Sequence, residues 1–416
     1  MPDRDSQSPL MLSVSGLRGL VGRSLTPVVA ARYGAAFGQW LKQRATDNPT
    51  PHIVIARDSR PSGQWVEYAV TAGLIATGCR VTGVGVVTTP GAAVMVDHLK
   101  ADGGMVITAS HNPIEWNGLK ALRHDGVAPP PDEAAEIIQR FKDDDVTFAA
   151  VEALHAAERD DTAAQVHVDR VLRHVDGDAI RKARLKVVVD SVHGAGGEEA
   201  RLLLDGLGVE RVHLYAEPTG LFPHTPEPLR ENLTDLCAAV REHEAHAGFA
   251  QDPDADRLAI VDERGEYIGE EYTLALATLH MFARRDESAG DAVVANLSTS
   301  RMIDDIARQH GGRVVRTAGG EANVVAGMRE HHAPIGGEGN GGVILPPVTF
   351  VRDSLVGMAL LLEMLAMRNQ PLSHIVDTIP RYAIIKQKAP ADAALAATLA
   401  DTLRAAFADA RIDTQD

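Results

Sequence analysis

Cysteine is nearly absent from this 416-residue chain: only Cys79 and Cys237 occur, both in apolar stretches. No disulfide framework is therefore implied, and a reducing cytoplasm is the expected setting. Long apolar runs are also missing. Met358-Ala359-Leu360-Leu361-Leu362 is among the longest greasy segments, and Glu363 ends it far short of a bilayer span. Met1 to Leu10 is polar and acidic, with no apolar stretch of signal-peptide length. Nor is there an excess of positive charge. With 41 Lys+Arg against 57 Asp+Glu the formal net charge is -16, which disfavours nucleic acid and anionic membrane surfaces as partners. An anionic small molecule would have to be held by local basic side chains, against the overall field. What remains is an ordinary globular composition, 45% hydrophobic and 24% charged, on a chain long enough for three or four domains.

A short β-branched run that ends in a polar loop and then a helical pattern occurs three times. The runs are Ile53-Val54-Ile55-Ala56-Arg57-Asp58-Ser59, Val187-Val188-Val189-Asp190-Ser191 and Val293-Val294-Ala295-Asn296-Leu297-Ser298. Amphipathic stretches follow each, roughly over 63–77, 196–207 and 299–310, and then a second strand candidate. This spacing predicts successive α/β domains of similar build, with three sets of strand-end loops around one cleft. An acidic, Ala-rich connector over 142–164 separates the first unit from the second. The expected divisions are 1–150, 151–256, 257–373 and a thin remainder at 374–416 that holds a strand candidate and one Ala-rich helix. The second unit is expected to end at the aspartates described next, with 257–261 opening a hairpin through Glu263-Arg264-Gly265-Glu266.

Two polar segments carry the chemistry. Asp252-Pro253-Asp254-Ala255-Asp256-Arg257 offers three carboxylates at alternate positions, which an extended backbone would point one way. Crowded carboxylates repel unless a cation lies between them, and oxygen ligands suit a hard divalent ion such as Mg²⁺. A solvated Asp-rich turn is the plainer alternative. A calcium hand fits Asp252, Asp254, Asp256 and Glu263 at positions one, three, five and twelve, but Arg257 stands where its sharp turn needs Gly, and the flanks read as strands. The second segment, Thr108-Ala109-Ser110-His111-Asn112-Pro113, places a serine where the apolar run Gly104-Met105-Val106-Ile107 gives way to a loop. No Gly-x-Ser-x-Gly elbow surrounds Ser110, which argues against acyl-transfer chemistry.

Further handles lie elsewhere. Arg57-Asp58-Ser59-Arg60-Pro61-Ser62-Gly63 joins a strand to a helix, where basic side chains and helix-start amides suit an anion; a surface loop with an internal Arg-Asp pair is the alternative. In Ser15-Gly16-Leu17-Arg18-Gly19 the backbone can approach a ligand closely and Arg18 can meet a phosphate. Gly336-Gly337-Glu338-Gly339-Asn340-Gly341-Gly342 lacks the Lys-Ser/Thr ending of a P-loop. It presents a carboxylate and a carboxamide on a pliable backbone, suited to vicinal sugar hydroxyls, or else forms a plain Gly-rich hairpin. Lys120, after Asn117-Gly118, is a surface lysine or a proton carrier.

Taken together, Thr-Ala-Ser-His-Asn-Pro with Asn117-Gly118-x-Lys120, Asp-x-Asp-Ala-Asp-Arg and Gly-Glu-Gly-Asn-Gly-Gly resemble, in order and spacing over residues 12–388, the α-D-phosphohexomutase family of phosphoglucomutases, phosphomannomutases and phosphoglucosamine mutases. The resemblance implies a four-domain α/β enzyme whose first three domains are related. It implies that Ser110 carries a phosphoryl group whose oxygen joins Asp252, Asp254 and Asp256 around Mg²⁺, and that Arg257 neutralises the transferring phosphoryl. Lys120 and His111, with Arg18 nearby, would move the proton of the sugar hydroxyl. Glu338 and Asn340 would grip the hexose, with Gly337 and Arg57 as further substrate contacts. Moving phosphate between C1 and C6 is close to isoenergetic, so a serine ester suffices as a phosphoryl depot and a hexose 1,6-bisphosphate is the expected intermediate and activator. Glucosamine phosphate is the expected substrate, ahead of mannose or glucose phosphate; a sugar-phosphate-binding protein without turnover and a phosphoserine phosphatase are the other readings. Two departures from the family accompany this. Its Arg-x-Ser-x-Thr-Glu-Pro type phosphate loop does not occur before Asp416, so either the sequence is truncated or another group serves, and Asn340 stands where the common bacterial form has Ser.

Overall fold

The β-branched runs at 53, 187 and 293 each become an inner strand of a sheet, as expected of apolar runs covered on both faces. The structure, a computed structural model, describes residues 10–44, 48–284, 290–383 and 393–410. Its first sheet contains β1 Met11–Ser13, β2 Gly16–Leu20, β3 His52–Arg57, β4 Arg80–Val86, β5 Gly103–Ile107, β6 Trp116–Arg123 and β7 Glu158–Arg159, in the order β1-β2-β6-β5-β3-β4-β7. The second contains β8 Lys186–Asp190, β9 Glu210–Leu214, β10 Ala247–Gln251 and β11 Leu258–Asp262, ordered β11-β10-β8-β9. The third contains β12 Ala292–Asn296, β13 Arg313–Thr317, β14 Ile335–Glu338 and β15 Gly342–Ile344, ordered β13-β12-β14-β15.

One four-strand pattern recurs in all three sheets. Two parallel neighbours flank the inner strand: β4 and β5 about β3, β9 and β10 about β8, β13 and β14 about β12. A fourth strand, β6, β11 or β15, then returns antiparallel beside the third. The connection from third to fourth strand thus occupies the same place in each unit. Those three connections carry Ser110, the aspartates and the glycine-rich segment.

The helices are α1 Pro27–Arg44, α2 Gly63–Ala76, α3 Thr89–His98 and α4 Pro131–Asp143 in the first unit, then α5 Ala163–Leu172 and α6 Gly177–Ala183. They continue with α7 Gly197–Leu207, α8 Thr234–Glu242, α9 Glu271–Ala283, α10 Met302–Gln309, α11 Glu321–Glu330, α12 Ser354–Arg368, α13 Leu372–Asp377 and α14 Ala393–Ala406. Alternation along β3 feeds two cores. Ile53 and Ile55 pack with Phe37 and Trp40, whereas Val54 and Ala56 pack with Val84 and Val106. The second and third units instead share one continuous core, in which Val187, Phe249 and Leu258 join Leu274, Val293 and Leu355. Each such fully buried side chain contributes roughly 1.5–3 kcal/mol, so these two units are bound together by apolar packing.

Two expected divisions need correction. The break at 256/257 falls inside the β10–β11 hairpin, where Ala247 pairs with Asp262 and Gln251 with Leu258, so β11 completes the second sheet. The turn after it does close, with the Asp262 N–H donating to Glu266 O, but the strand's main partner lies upstream. The break at 150/151 is likewise early, because β7 extends the first sheet to Arg159 by pairing with β4. The strand candidate of the tail lies outside the described residues, and its Ala-rich helix is α14. Among the described residues no helix is long and apolar enough to cross a membrane.

Candidate active site

Ser110 leaves the end of β5 in an unusual backbone state. Its φ is +51°, a left-handed conformation that a non-glycine residue adopts only when its surroundings impose it. Here they do. Thr108 Oγ accepts from the Ser110 N–H at 2.9 Å, and the fully buried Arg60 donates to Ser110 O at 2.8 Å and Asn112 O at 2.5 Å. Arg60 is itself held by an ion pair to Asp58, which also accepts the Thr108 hydroxyl at 2.6 Å. This bracing points the Ser110 hydroxyl at the second unit, where it donates to Asp252 Oδ2 at 3.0 Å. His111 Nδ1 lies 3.3 Å from the same hydroxyl. Burial, followed by the nearby Arg257 charge, lowers the His111 pKa to about 4, so its ring is neutral at physiological pH.

The aspartates converge by a turn and not by strand alternation. The Ala255 N–H donates to Asp252 O at 2.9 Å, with Ala255 at φ +54°, and the strands β10 and β11 on either side replace the helices of a calcium hand. Oxygens of Asp252, Asp254 and Asp256 then lie within 4.8 Å of one another. Lys120, from β6, donates to Asp254 Oδ2 at 2.7 Å and approaches Asp256 Oδ2 at 3.6 Å. Burial alone would lower the Lys120 pKa, but Asp254 and Asp256 outweigh it and hold the ammonium charged. Asp254 responds in kind: burial pushes it up, yet Lys120 and the Thr89 hydroxyl bring it well below the usual carboxylate range. At Asp252 burial and repulsion from Asp254 and Asp256 outweigh the nearby Arg257 charge and drive the pKa well above that range.

These residues fit a hard divalent cation. All three donors are carboxylates, and Asp254 Oδ1 and Asp256 Oδ1 are buried without a hydrogen-bond partner. A buried carboxylate oxygen left unpaired is costly, and a Mg²⁺-sized ion at this point would satisfy both. Arg257 stands beside the cluster, its Nε 3.8 Å from Asp256 Oδ1 and also without a hydrogen-bond partner.

The third unit faces this cluster across a cleft of about 440 Å³ whose lining includes Arg18, Ser110, Lys120, Arg257, Glu338 and Asn340. Its hub is Arg352, whose guanidinium reaches Asp256 at 2.6 Å, Glu338 at 2.5 Å and Glu321 at 3.0 Å. Asn340 donates to Glu338 at 3.2 Å while its own buried Oδ1 has no partner. Backbone contacts tie the loops together as well: the Leu258 N–H donates to Gly341 O at 3.0 Å and the Thr89 N–H to Asp254 O at 2.9 Å.

Ser110, His111, Lys120, Arg18, Arg257, Glu338, Asn340 and the three aspartates are therefore brought to one place. Two expected contacts are not. Arg57, the last residue of β3, is taken up by Glu67 of α2 at 3.0 Å and does not line the cleft. Gly337 is fully buried at φ +154°, and a Cβ there would meet Gly342 O at 2.1 Å, so the pairing of β14 with β15 accounts for its glycine. Sequence reading missed Arg352, Glu321 and Thr89. The only local signal for Arg352 was its place before Asp353 and the apolar start of α12.

Profiles of the phosphoglucomutase/phosphomannomutase family match the chain three times: alpha/beta/alpha domain I over residues 11–147, domain II over 165–265 and domain III over 270–382. A phosphoglucomutase/phosphomannomutase of Thermococcus kodakarensis is 37% identical over 90% of this chain and 81% of its own length. A probable phosphoglucosamine mutase of Methanopyrus kandleri is 37% identical over 90% of this chain and 80% of its own. Among solved structures, a phosphoglucomutase/phosphomannomutase family protein from Burkholderia thailandensis superposes with a TM-score of 0.78 at 30% identity, covering 90% of this chain and 81% of that one.

Proposed function

The chain belongs to the phosphoglucomutase/phosphomannomutase family of intramolecular phosphotransferases, and from that premise we propose that it interconverts hexose 6-phosphate and hexose 1-phosphate through a phosphoserine at Ser110. The single observation that carries this reading is the 3.0 Å contact between the Ser110 hydroxyl and Asp252, inside a carboxylate cluster that retains two unpartnered oxygens. Phosphoserine donates its phosphoryl to the free hydroxyl of a sugar phosphate. The resulting hexose 1,6-bisphosphate reorients in the cleft and returns its other phosphoryl to Ser110. Asp252, Asp254 and Asp256, with an oxygen of the Ser110 phosphoryl, would hold Mg²⁺, which would supply charge neutralisation at the transferring group. The protein's own part is positional and electrostatic. Arg257 supplies positive charge beside the phosphoryl. Neutral His111, whose Nδ1 lies 3.3 Å from the Ser110 hydroxyl, is placed to accept the proton of the attacking hydroxyl, while the charged Lys120, with Arg18 nearby, supplies a proton and positive charge on the other side of the transfer. Glu338 and Asn340 hold ring hydroxyls in either orientation.

Glucosamine phosphate is the preferred substrate in this reading. The name of the Methanopyrus kandleri relative, a probable phosphoglucosamine mutase, supports this preference. A cytoplasmic setting suits Cys79 and Cys237, both free thiols. Assays on glucosamine, glucose and mannose 6-phosphates with Mg²⁺ and catalytic hexose 1,6-bisphosphate test the proposal. Isomerisation without release of inorganic phosphate, fastest on the glucosamine ester, is expected. Binding without turnover on all three, or phosphate release matching substrate loss, would overturn it.

A further inference from the structure

Behind the aspartate loop, where the three units meet, lies a second ionic cluster that the phosphoryl chemistry does not use. His167 of α5 is fully buried, with Nδ1 2.7 Å from Glu199 Oε2 of α7 and Nε2 2.8 Å from Asp353 Oδ2 at the start of α12. Both ring nitrogens face carboxylates, so both donate and the ring is an imidazolium. Burial works against that charge, but Asp353 and Glu199 overcome it and raise the pKa to about 10.

The cluster reaches the active site along two short paths. On one side Glu199 accepts from the Thr88 N–H at 3.0 Å and the Thr88 hydroxyl at 2.8 Å. Thr88 caps α3, and the next residue, Thr89, donates to Asp254 Oδ2 at 2.6 Å. On the other side Asp353 Oδ1 caps α12 through the Leu355 N–H at 2.8 Å. The residue before it is Arg352, which holds Asp256 at 2.6 Å.

We propose that His167 is a positioning residue, a buried cation that clamps the three units together and so sets the separation of Asp254 and Asp256. Its contribution to catalysis rests on the phosphoryl-transfer reading above, whereas its contribution to cation affinity does not. A direct partner of a metal ligand, as Thr89 and Arg352 are of Asp254 and Asp256, typically accounts for roughly 10- to 100-fold in metal affinity or activity, and His167 acts one contact further out.

The test uses the full chain and three variants. In His167→Gln the amide offers a donor to only one carboxylate and turns its oxygen against the other. Adding Asp353→Asn converts that second carboxylate to an amide, which keeps the helix cap and donates to the new glutamine oxygen. Mg²⁺ binding to the unphosphorylated protein is followed by calorimetry, and amide exchange over residues 88–91 by mass spectrometry. His167→Gln is expected to weaken Mg²⁺ binding by up to about tenfold, to speed exchange over 88–91, and to lower kcat with little change in the phosphosugar KM. The double variant is expected to recover most of the affinity. Unchanged affinity and exchange in folded His167→Gln, or a double variant as defective as the single, would overturn the clamp. If His167→Gln does not fold, Glu199→Gln decides: weakened Mg²⁺ binding supports the clamp and wild-type binding overturns it. A wild-type protein that binds Mg²⁺ but isomerises no hexose phosphate refutes the mutase reading while the clamp is still tested by binding and exchange.

Discussion

Two buried carboxylate clusters lie close together in the fold and differ in one respect. Around His167 every carboxylate oxygen of Glu199 and Asp353 has a partner: an imidazolium, a helix amide or Thr88. Around Asp252, Asp254 and Asp256 two oxygens and the Arg257 Nε have none. Both clusters join segments far apart in sequence through buried cations. The satisfied one has nothing left to offer a ligand and can only hold shape, while the unsatisfied one keeps polar atoms that a ligand could meet, as the proposed cation and phosphoryl group would. Burial of charge alone would not have separated the two; the count of unmet hydrogen bonds does.

The comparison can be broken most severely at the nucleophile. Ser110→Ala should lower kcat by on the order of 10⁴-fold or more, with the fold intact by circular dichroism. A small effect would mean that the phosphoryl group is stored elsewhere. Asp254→Asn should come next. It removes a ligand charge, so the Mg²⁺ concentration for half-maximal rate should rise by roughly 10- to 100-fold; it also takes the charged partner from the buried Lys120, so the melting temperature should fall while circular dichroism still shows the folded protein. Arg352→Met works in the opposite sense. It strands Asp256, Glu338 and Glu321 without their shared cation, and loss of one partner from such a buried network costs about 3–5 kcal/mol, which denaturant unfolding would measure.

A smaller effect distinguishes the satisfied cluster by pH. The His167 pKa is raised from an ordinary 6.5 to about 10 in the folded protein. Its contribution to stability is therefore fully present below pH 6.5, declines above it and is lost as pH passes about 10. Wild type should lose more melting temperature between pH 7 and 10 than the His167→Gln, Asp353→Asn double variant does. Parallel curves for the two proteins would count against a protonated clamp. The least effect is expected at Arg57, whose partner is Glu67 and not the cleft. Arg57→Gln should cost about 1 kcal/mol or less and leave kcat/KM unchanged.

Much of the site is legible in the sequence because its chemistry sits in contiguous segments. Ser110 and His111 are neighbours, and the aspartates lie within five residues, so spacing and charge identify them even though their convergence comes from a turn at Ala255. The three-fold repeat of α/β units is legible for a similar reason, since buried parallel strands show as β-branched runs. The bracing is not. Arg60 holds a carbonyl 50 residues away, Arg352 binds a carboxylate 96 residues away and His167 one 186 residues away, and no local pattern announces such pairs. The misplaced division at 256/257 has the same origin. β11 reads as the start of a new unit because its downstream turn is visible in the sequence, whereas its pairing with β10 depends on tertiary register.

The central claim is that one serine stores a phosphoryl group opposite the aspartate cluster. Incubating the protein with hexose 1,6-bisphosphate and Mg²⁺, then mapping the modification by peptide mass spectrometry, tests it most directly. One phosphoryl group per chain on Ser110, absent from Ser110→Ala, is the predicted result. Stoichiometric phosphate on any other residue would contradict the account.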